Sequence, residues 1–380
     1  MTKRKVCVVT GSRSEYGLLY PILVEIKASH MLELQLISTS AHQSSLFGMT
    51  FKEIENDGFV INEKIDNLIS GHKKTSIAKS TGILLSRLAE IFETLEPDIV
   101  LLLGDRYETH AAATTAMLMT IPIAHIHGGE ITEGAVDEQI RHSITKMSYL
   151  HFCSTEVYRN RVIRMGEDPE RVFVSGAPGI DNILNLKLLT KDELENDLGW
   201  SFSSQCALFT FHPETLHEEK ISKDIDTILD LLKKFRFNIL FTYANADFGG
   251  KVINKKLEGF CQINEKKYKV VKNLGQLRYL SAMRNVDFLV GNSSSGIIEA
   301  ASFEKPVVNI GDRQKGRLKG ENVIDCDVDS LEKAIEIANS KDFKKSIASM
   351  NNIYGSGNAA DIILDRIINE PLSVIKKFKD

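Results

Sequence analysis

Short apolar runs alternate with longer amphipathic segments along the first half of the chain. Residues Ile99–Leu103 are all apolar, which is typical of a strand buried on both faces of a parallel sheet. Residues 76–95 carry apolar side chains at helical spacing and stop before Pro97, which predicts a long helix. The same alternation of strand and helix is predicted from the strand at residues 5–10 to the strand at residues 172–174.

The alternation is interrupted at Pro178 and Gly179 and begins again after two polar helices. Because strands and helices alternate in both halves, the chain is predicted to be an α/β protein with two doubly wound, Rossmann-like parallel sheets. The first domain is predicted at residues 1–178 and the second at 179–358. Ligands of such sheets bind beyond the carboxyl ends of the strands, so a cleft between two domains is expected.

Composition and charge narrow the class of protein. The chain has 380 residues and a net charge of −4, which does not favour a nucleic-acid or acidic-membrane surface. The first apolar run is too short for a signal peptide, and no run is long enough to span a bilayer. Five scattered cysteines without a Cys-x-x-Cys pair predict reduced thiols in a cytoplasmic protein.

The most informative stretch is residues 291–299, with the sequence GNSSSGIIE, which follows a predicted strand at 286–290. Small side chains, hydroxyl groups and a helix start favour the binding of an anion, and an acidic residue on the helix suits ribose hydroxyls. The alternative is a well-capped loop of a parallel sheet without a ligand. The candidate ligand-binding residues are Ser293, Ser294, Ser295, Gly296 and Glu299.

Charged side chains also follow two predicted strands of the first domain. Arg13 lies in a predicted turn at residues 11–17, where its guanidinium could hold a phosphate or be an ordinary surface group. Asp105 follows the apolar strand Ile99–Leu103, where it could face a ligand or cap the next helix.

The segment HIHGGE at residues 125–130 combines imidazole, glycine and carboxylate groups. If it is a strand, His125 and His127 share a face, and two glycines then present Glu130. Acid–base catalysis, a metal site formed by the two histidines with Glu130 or Asp105, and a structural role all remain possible here. Asp137 opens the next helix, where it could act on a ligand or only favour the helix dipole.

Two further candidates lie in the second half. His212 ends the first strand of that half, at the position that corresponds to Arg13 in the first half. Arg313 lies in the basic loop 311–317, which could hold a second anion or be solvated. No Walker phosphate loop and no Gly-x-Gly-x-x-Gly after the first strand are present, which argues against an ATPase and an ordinary dehydrogenase.

An ordered set of motifs over almost the whole chain resembles the hydrolysing UDP-N-acetylglucosamine 2-epimerases, in the branch of bacterial sialic-acid and legionaminic-acid synthesis. The motifs are GSRSEYG (11–17), GDR (104–106), HIHGGE (125–130), DEQIRHSITK (137–146), FHPET (211–215), GNSSSG (291–296) and NIGDRQKGR (309–317). The resemblance implies a fold like the GT-B glycosyltransferases, with a C-terminal helix at about 359–380 that crosses back to the first domain. It also implies a homodimer.

The resemblance implies a reaction without metal or cofactor. A proton leaves sugar carbon 2 and UDP departs, which gives 2-acetamidoglucal, and water then adds to release N-acetylmannosamine. The partners implied are a UDP-sugar substrate and the product UDP. UDP-N,N′-diacetylbacillosamine as substrate, a non-hydrolysing epimerase, and a transferase or binding protein on the same fold are the alternatives.

Residue by residue, the resemblance implies that Ser293, Ser294 and Glu299 hold diphosphate and ribose, with Arg13 and Arg313 at the diphosphate. Around the sugar it implies His42, Asp105, His127, Glu130, Asp137 and His212. Many relatives have glutamate where this chain has His127, so His127, Glu130 or Asp105 is expected to take over that acid–base role.

Overall fold

The computed structural model describes residues 3–69, 74–133, 136–202, 205–213, 221–244 and 249–380. The chain forms two compact units. The first comprises Met1–Glu130, Val136–Asn182 and Tyr354–Asp380, and the second comprises Ile131–Ala135 and Ile183–Ile353. Within the described residues, no helix has the length and apolar character that crossing a membrane requires.

The first unit contains a seven-stranded parallel sheet. Its strands are β1 (Arg4–Thr10), β2 (Leu32–Thr39), β3 (Glu63–Ile65), β4 (Ile99–Leu103), β5 (Ile123–Ile126), β6 (Leu150–Cys153) and β7 (Val172–Val174). Their order across the sheet is β3-β2-β1-β4-β5-β6-β7, so the chain first moves outward on one side of β1 and then on the other. This reversal is the topological switch point at which doubly wound sheets bind ligands.

The second unit repeats the plan with six parallel strands. They are β8 (Cys206–Thr210), β9 (Asn238–Thr242), β10 (Tyr268–Val271), β11 (Phe288–Gly291), β12 (Val307–Ile310) and β13 (Val323–Cys326). The order is β10-β9-β8-β11-β12-β13, with the switch point between β8 and β11. The predicted class, two Rossmann-like sheets with interleaved helices, is confirmed.

Helices connect most of these strands. In chain order they are α1 (Arg13–Ala28), α2 (Phe51–Asn56), α3 (Lys74–Leu95), α4 (Tyr107–Leu118), α5 (Asp137–Met147), α6 (Glu156–Arg164), α7 (Pro178–Asn185), α8 (Lys191–Leu198), α9 (Ile221–Leu232), α10 (Gly250–Cys261), α11 (Gly275–Asn285), α12 (Ser294–Ile298), α13 (Leu331–Asn339), α14 (Lys341–Ser346) and α15 (Ala359–Asn369).

Alternate residues of β1 pack on opposite faces of the first sheet. Val6 and Val8 lie in a core with Leu19 of α1 and Ile363 of α15, while Cys7 packs in a second core against α3 and α4. Both faces of the strand are therefore covered by helices, which explains why the strands read as continuous apolar runs.

The start of α1 differs from the predicted turn at residues 11–17. The helix begins at Arg13, and the hydroxyl of Ser12 caps it by accepting from the amide of Glu15. Pro21 consequently lies in the helix interior, where it cannot donate a hydrogen bond to the carbonyl of Gly17. The side chain of Asn182 donates to that carbonyl at 2.9 Å, which satisfies the group that proline leaves open.

Several predicted bounds were wrong. The sequence of residues 59–65 predicts one strand over its whole length, but β3 comprises only Glu63–Ile65. Strand β13 was not predicted because its sequence, VIDC, has no clear pattern. The last helix has the bounds that the sequence pattern predicts, Ala359–Asn369, whereas the resemblance implied a helix to about residue 380; residues 370–380 are not helical.

Candidate functional site

His42 lies in a short 3-10 helix, Ser40–Gln43, just beyond the carboxyl end of β2. Its ring is fully buried, and its two nitrogens contact hydroxyl oxygens, Nε2 that of Thr10 at 3.1 Å and Nδ1 that of Thr50 at 2.8 Å. Burial lowers the pKa of His42 to about 4, and the nearby charge of Arg13 acts in the same direction. A neutral imidazole held by two hydroxyls is a fixed polar group rather than a proton carrier near neutral pH.

Arg13 is the first residue of α1, and Glu15, two residues later, carries a buried carboxylate. The carboxylate of Glu15 accepts from the amide of Gly11 at 2.7 Å and is 5% exposed. Burial raises the pKa of Glu15 to about 8, and the neighbouring charge of Glu108 adds to the shift. Glu108 also leaves no room at residue 11, since a Cβ there would lie 2.9 Å from its side chain. The packing of Glu108 therefore requires glycine at residue 11.

Asp105 follows β4 and forms an ion pair with Arg141 of α5. It is not the cap of α4, because Arg106 occupies the N-cap position. The guanidinium of Arg141 is fully buried and also donates to the carbonyl of Glu130 at 3.0 Å. One buried arginine thus ties two predicted catalytic segments together. A charge-assisted pair of this kind fixes the carboxylate in one orientation.

His127 and Glu130 form a buried pair. Nδ1 of His127 lies 2.6 Å from a carboxylate oxygen of Glu130, and the hydroxyl of Ser154 donates to the same oxygen at 2.9 Å. Nε2 of His127 has no hydrogen-bond partner among the described residues. The pair has the geometry of a histidine oriented through one nitrogen, with the other available for proton transfer.

The predicted common face of His125 and His127 is wrong. Strand β5 ends at Ile126, and His127 has a left-handed backbone with φ of 66°. His125 instead points to the carbonyl of Gly104, 2.8 Å from its Nε2, and burial lowers its pKa to about 3. His125 has the structural role, whereas His127 adopts a conformation that costs energy and recurs at functional sites.

Asp137 is the first residue of α5, and the preceding Val136 provides no side-chain cap. The next residue, Glu138, contacts His142 at 3.0 Å and Arg141 at 3.5 Å. The start of α5 therefore belongs to the same charged cluster as Asp105.

In the second unit, β11 leads into the predicted ligand-binding segment 291–299, which we call the serine loop. Gly291 has φ of 136°, and a Cβ there would lie 1.9 Å from the carbonyl oxygen of Thr210, so only glycine fits. Ser293 occupies the N-cap position of α12 without a side-chain cap. Its hydroxyl lies 2.9 Å from that of Ser295, which lies 2.5 Å from the hydroxyl of Tyr279.

Asn292 connects this loop to its neighbours. Its side chain makes two hydrogen bonds to the backbone of His212, at 2.7 and 2.8 Å. Its own carbonyl accepts from Arg313 at 3.0 Å and from Gln314 at 2.9 Å. The end of β8, the serine loop and the basic loop are therefore joined at one buried residue.

The helix at the serine loop is short. It begins at Ser294 and ends at Ile298, so Glu299 follows the helix instead of lying on it, and precedes a 3-10 helix, Ala300–Phe303. Glu299 is 8% exposed, and burial raises its pKa to about 8. A buried, neutral carboxylic acid can both donate to and accept from a pair of hydroxyl groups.

The candidate residues thus fall into two groups, one in each unit. Sequence reasoning missed the side chains that hold them: Arg141, Ser154, Tyr279, Asn292 and Gln314. Arg141, Asn292 and Gln314 lie inside the recognised motifs, and this was the signal that could have identified them. Glu214, in the motif that contains His212, lies outside the described residues. Across the described part of the chain, His, Cys, Asp and Glu side chains form no group suited to a metal ion.

The fold is that of known nucleotide-sugar epimerases. The crystal structure of UDP-GlcNAc 2-epimerase from Neisseria meningitidis bound to UDP-GlcNAc superposes with a TM-score of 0.82 at 23% sequence identity. The match covers 96% of this chain and all of that one. At this identity the likeness concerns the fold alone.

Three curated relatives are more similar in sequence. GDP/UDP-N,N′-diacetylbacillosamine 2-epimerase (hydrolyzing) of Campylobacter jejuni is 44% identical, over 91% of this chain and 90% of the relative. Polysialic acid biosynthesis protein P7 of Escherichia coli is 38% identical, over 99% and 97%. UDP-N,N′-diacetylbacillosamine 2-epimerase (hydrolyzing) of Legionella pneumophila is 37% identical, over 94% of both.

These matches define the class as enzymes that epimerise a nucleotide-linked sugar. A model of the family UDP-N-acetylglucosamine 2-epimerase matches residues 24–368, and with the relatives above it shows that the chain belongs to this family, in its hydrolysing branch.

Proposed function

We propose that the enzyme removes UDP from a UDP-linked 2-acetamido sugar and releases the free sugar inverted at carbon 2. The observation that carries this proposal is the buried His127–Glu130 pair beside the Asp105–Arg141 ion pair. Acid–base groups fixed in this way suit removal of a carbon-bound proton, which a protein that only binds a nucleotide sugar does not need.

In the first stage, a base takes the proton from carbon 2 while the bond from carbon 1 to the diphosphate oxygen breaks. The electrons form a double bond between the two carbons, and UDP leaves as the anion. We assign the proton transfers to Nε2 of His127, oriented by Glu130, and to Asp105, oriented by Arg141. A diphosphate is already a good leaving group, so positive charge and hydrogen-bond donors suffice to stabilise it.

In the second stage, water adds its hydroxyl group to carbon 1, and a proton returns to the opposite face of carbon 2. Two proton carriers of different type fit a reaction that removes the proton on one face and returns it on the other. Asp137, His212 and His42 are proposed as further sugar-side residues, with His42 neutral and held in place by the hydroxyls of Thr10 and Thr50.

The diphosphate and ribose are assigned to the second unit. The serine loop offers hydroxyl groups and the start of α12, and Arg313 is fixed beside it through Asn292. Glu299 suits the two ribose hydroxyls. Arg13 is proposed as a second cation for the diphosphate.

Two sugars are candidates. UDP-N-acetylglucosamine, which would give N-acetylmannosamine for sialic-acid synthesis, is favoured by the similarity to the polysialic acid protein P7. UDP-N,N′-diacetylbacillosamine is favoured by the names of the relatives with 44% and 37% identity. Since the relative with 44% identity carries this name, we rank the second sugar first. A cytoplasmic homodimer is also proposed, which light scattering of the purified protein would test.

Proton NMR of the purified enzyme in deuterated water, with a chelator present, tests the reaction. Each UDP-sugar is supplied in turn, with Asp105→Asn as the control variant. We expect free 2-epimer sugar with deuterium at carbon 2, together with UDP, from one of the two substrates. A UDP-linked epimer without UDP release would indicate a non-hydrolysing enzyme, and UDP binding without turnover of either sugar would support a binding protein or transferase.

A further inference from the structure

The C-terminal segment forms a cavity with the loop before the edge strand β7. The cavity has a volume of about 370 Å³ and lies entirely within the first unit. None of the residues assigned to the reaction lines it. Its charged lining residues are Glu167, Asp168, Arg171, Lys376, Lys377 and Lys379. Four cationic side chains therefore face two carboxylates.

Both carboxylates already have cationic partners. Glu167 is 2% exposed and contacts Lys146 at 2.6 Å, Lys376 at 2.6 Å and His151 at 3.0 Å. Burial alone would raise the pKa of Glu167, but these partners together lower it to about 2. Asp168 lies 3.4 Å from the ammonium group of Lys379. The acidic groups thus balance Lys376 and Lys379 and hold the C-terminal segment in place.

Two cations of the cavity have no acidic partner in the part of the chain that the structure describes. Arg171 and Lys377 form no ion pair with any of the described residues. The guanidinium of Arg171 lies 3.9 Å from the ring centroid of Tyr149, which is itself buried. Stacking on the ring fixes the plane of the guanidinium and leaves its N–H groups at the edge available for a planar or tetrahedral anion.

We propose that this cavity binds a small organic anion through Arg171 and Lys377, at a site separate from the catalytic residues. The volume lies at the lower end of the range for small-molecule pockets, so the ligand has about the size of a sugar phosphate or a small polycarboxylate. Tyr149 and Ile375 provide apolar surface for its carbon skeleton. Phosphate and carboxylate groups are both recognised by such cations, and the experiment separates them.

The test is titration calorimetry of the full-length enzyme with inorganic pyrophosphate in one arm and citrate in the other. UDP is present at saturation so that a diphosphate-binding loop elsewhere is occupied. The test variant is Arg171→Gln with Lys377→Gln, and the control is Arg236→Gln with Lys266→Gln, two exposed cations of the second unit with the same change in net charge.

We expect one of the two anions to bind the wild type and the control pair with similar affinity, and to bind the Arg171–Lys377 variant about tenfold or more weakly. The anion that binds identifies the headgroup as phosphate or carboxylate. Equal affinity in both double variants would overturn the proposal. It would also be overturned if neither anion bound the wild type at concentrations up to about 10 mM. Because the titration does not depend on turnover, its outcome is independent of the proposed reaction.

Discussion

The side chain of Asn292 makes two hydrogen bonds to the backbone of His212, one to its amide and one to its carbonyl, as neighbouring β-strands do. Its Nδ2 donates to the carbonyl of His212 at 2.8 Å, and its Oδ1 accepts from the amide of the same residue at 2.7 Å. Asn292 is fully buried, so no solvent can replace these bonds. The position of a predicted sugar-side histidine therefore depends on a residue of the serine loop.

Replacing Asn292 by alanine is expected to lower the free energy of unfolding by about 2 kcal/mol or more, because two buried backbone groups lose their partners. The stability of Asn292→Asp should lie between those of the wild type and Asn292→Ala, since a carboxylate accepts from the amide but cannot donate to the carbonyl. Denaturant unfolding measures both. The exposed Asn351→Ala serves as control, and an Asn292→Ala protein as stable as this control would contradict the assignment.

The orientation of His127 by Glu130 gives a second prediction. Glu130→Gln should lower turnover by roughly 100-fold while the Michaelis constant changes little, because the ring loses its ionic partner and not a substrate contact. Ser154→Ala removes only the hydroxyl that donates to Glu130 and should have a smaller effect in the same direction. Steady-state kinetics with far-UV circular dichroism as a folding control measures this. Near-normal turnover of a folded Glu130→Gln enzyme would exclude the assigned role.

The serine loop provides a third prediction, for binding alone. Ser294→Ala and Glu299→Ala are expected to weaken UDP binding by about fivefold to a hundredfold each, the range for loss of one hydrogen bond to a charged or buried group. Calorimetry with UDP measures the change. Glu336→Ala, on the exposed side of α13, truncates the same type of side chain in the same unit and should leave the affinity unaltered. Unchanged affinity in both loop variants would place the nucleotide elsewhere.

The sequence was sufficient for the fold class because both sheets are parallel and covered by helices, so their strands appear as apolar runs. Ile99–Leu103 is an example, since all five residues are buried as predicted. Strand β13 was not predicted because its residues are only partly buried at the edge of the sheet, where the apolar pattern is weak. The start of α1 was not predicted because the two glycines and two serines of residues 11–17 are typical of a turn.

For the candidate site, the local sequence could indicate which polar residues follow the strands, but not which of these residues contact one another. Asp105 and Arg141 are distant in sequence, and nothing in either motif states that they pair. The left-handed backbone of His127 could not be predicted either, because this conformation is uncommon for any residue other than glycine and depends on the surrounding packing. Their roles in the reaction remain predictions.

The buried carboxyl of Glu15 gives a prediction for stability against pH. Its pKa is about 8 in the folded protein and 4.5 without the fold, so the folded state keeps a proton that the unfolded chain releases between these values. The contribution to stability is therefore complete below about pH 4.5 and is lost as the pH rises to about 8, by at most about 1.4 kcal/mol per pH unit.

Glu15→Gln should reduce this loss, because glutamine can still accept the hydrogen bond from the amide of Gly11 but carries no titrating group. We therefore expect the variant to gain stability relative to the wild type as the pH is raised from about 5 to 8. Denaturant unfolding at several pH values measures the difference. Glu25→Gln, an exposed glutamate on the same helix, is the control and should follow the wild type. If Glu15→Gln and Glu25→Gln show the same pH dependence, Glu15 is ionised in the folded protein and the argument from burial fails.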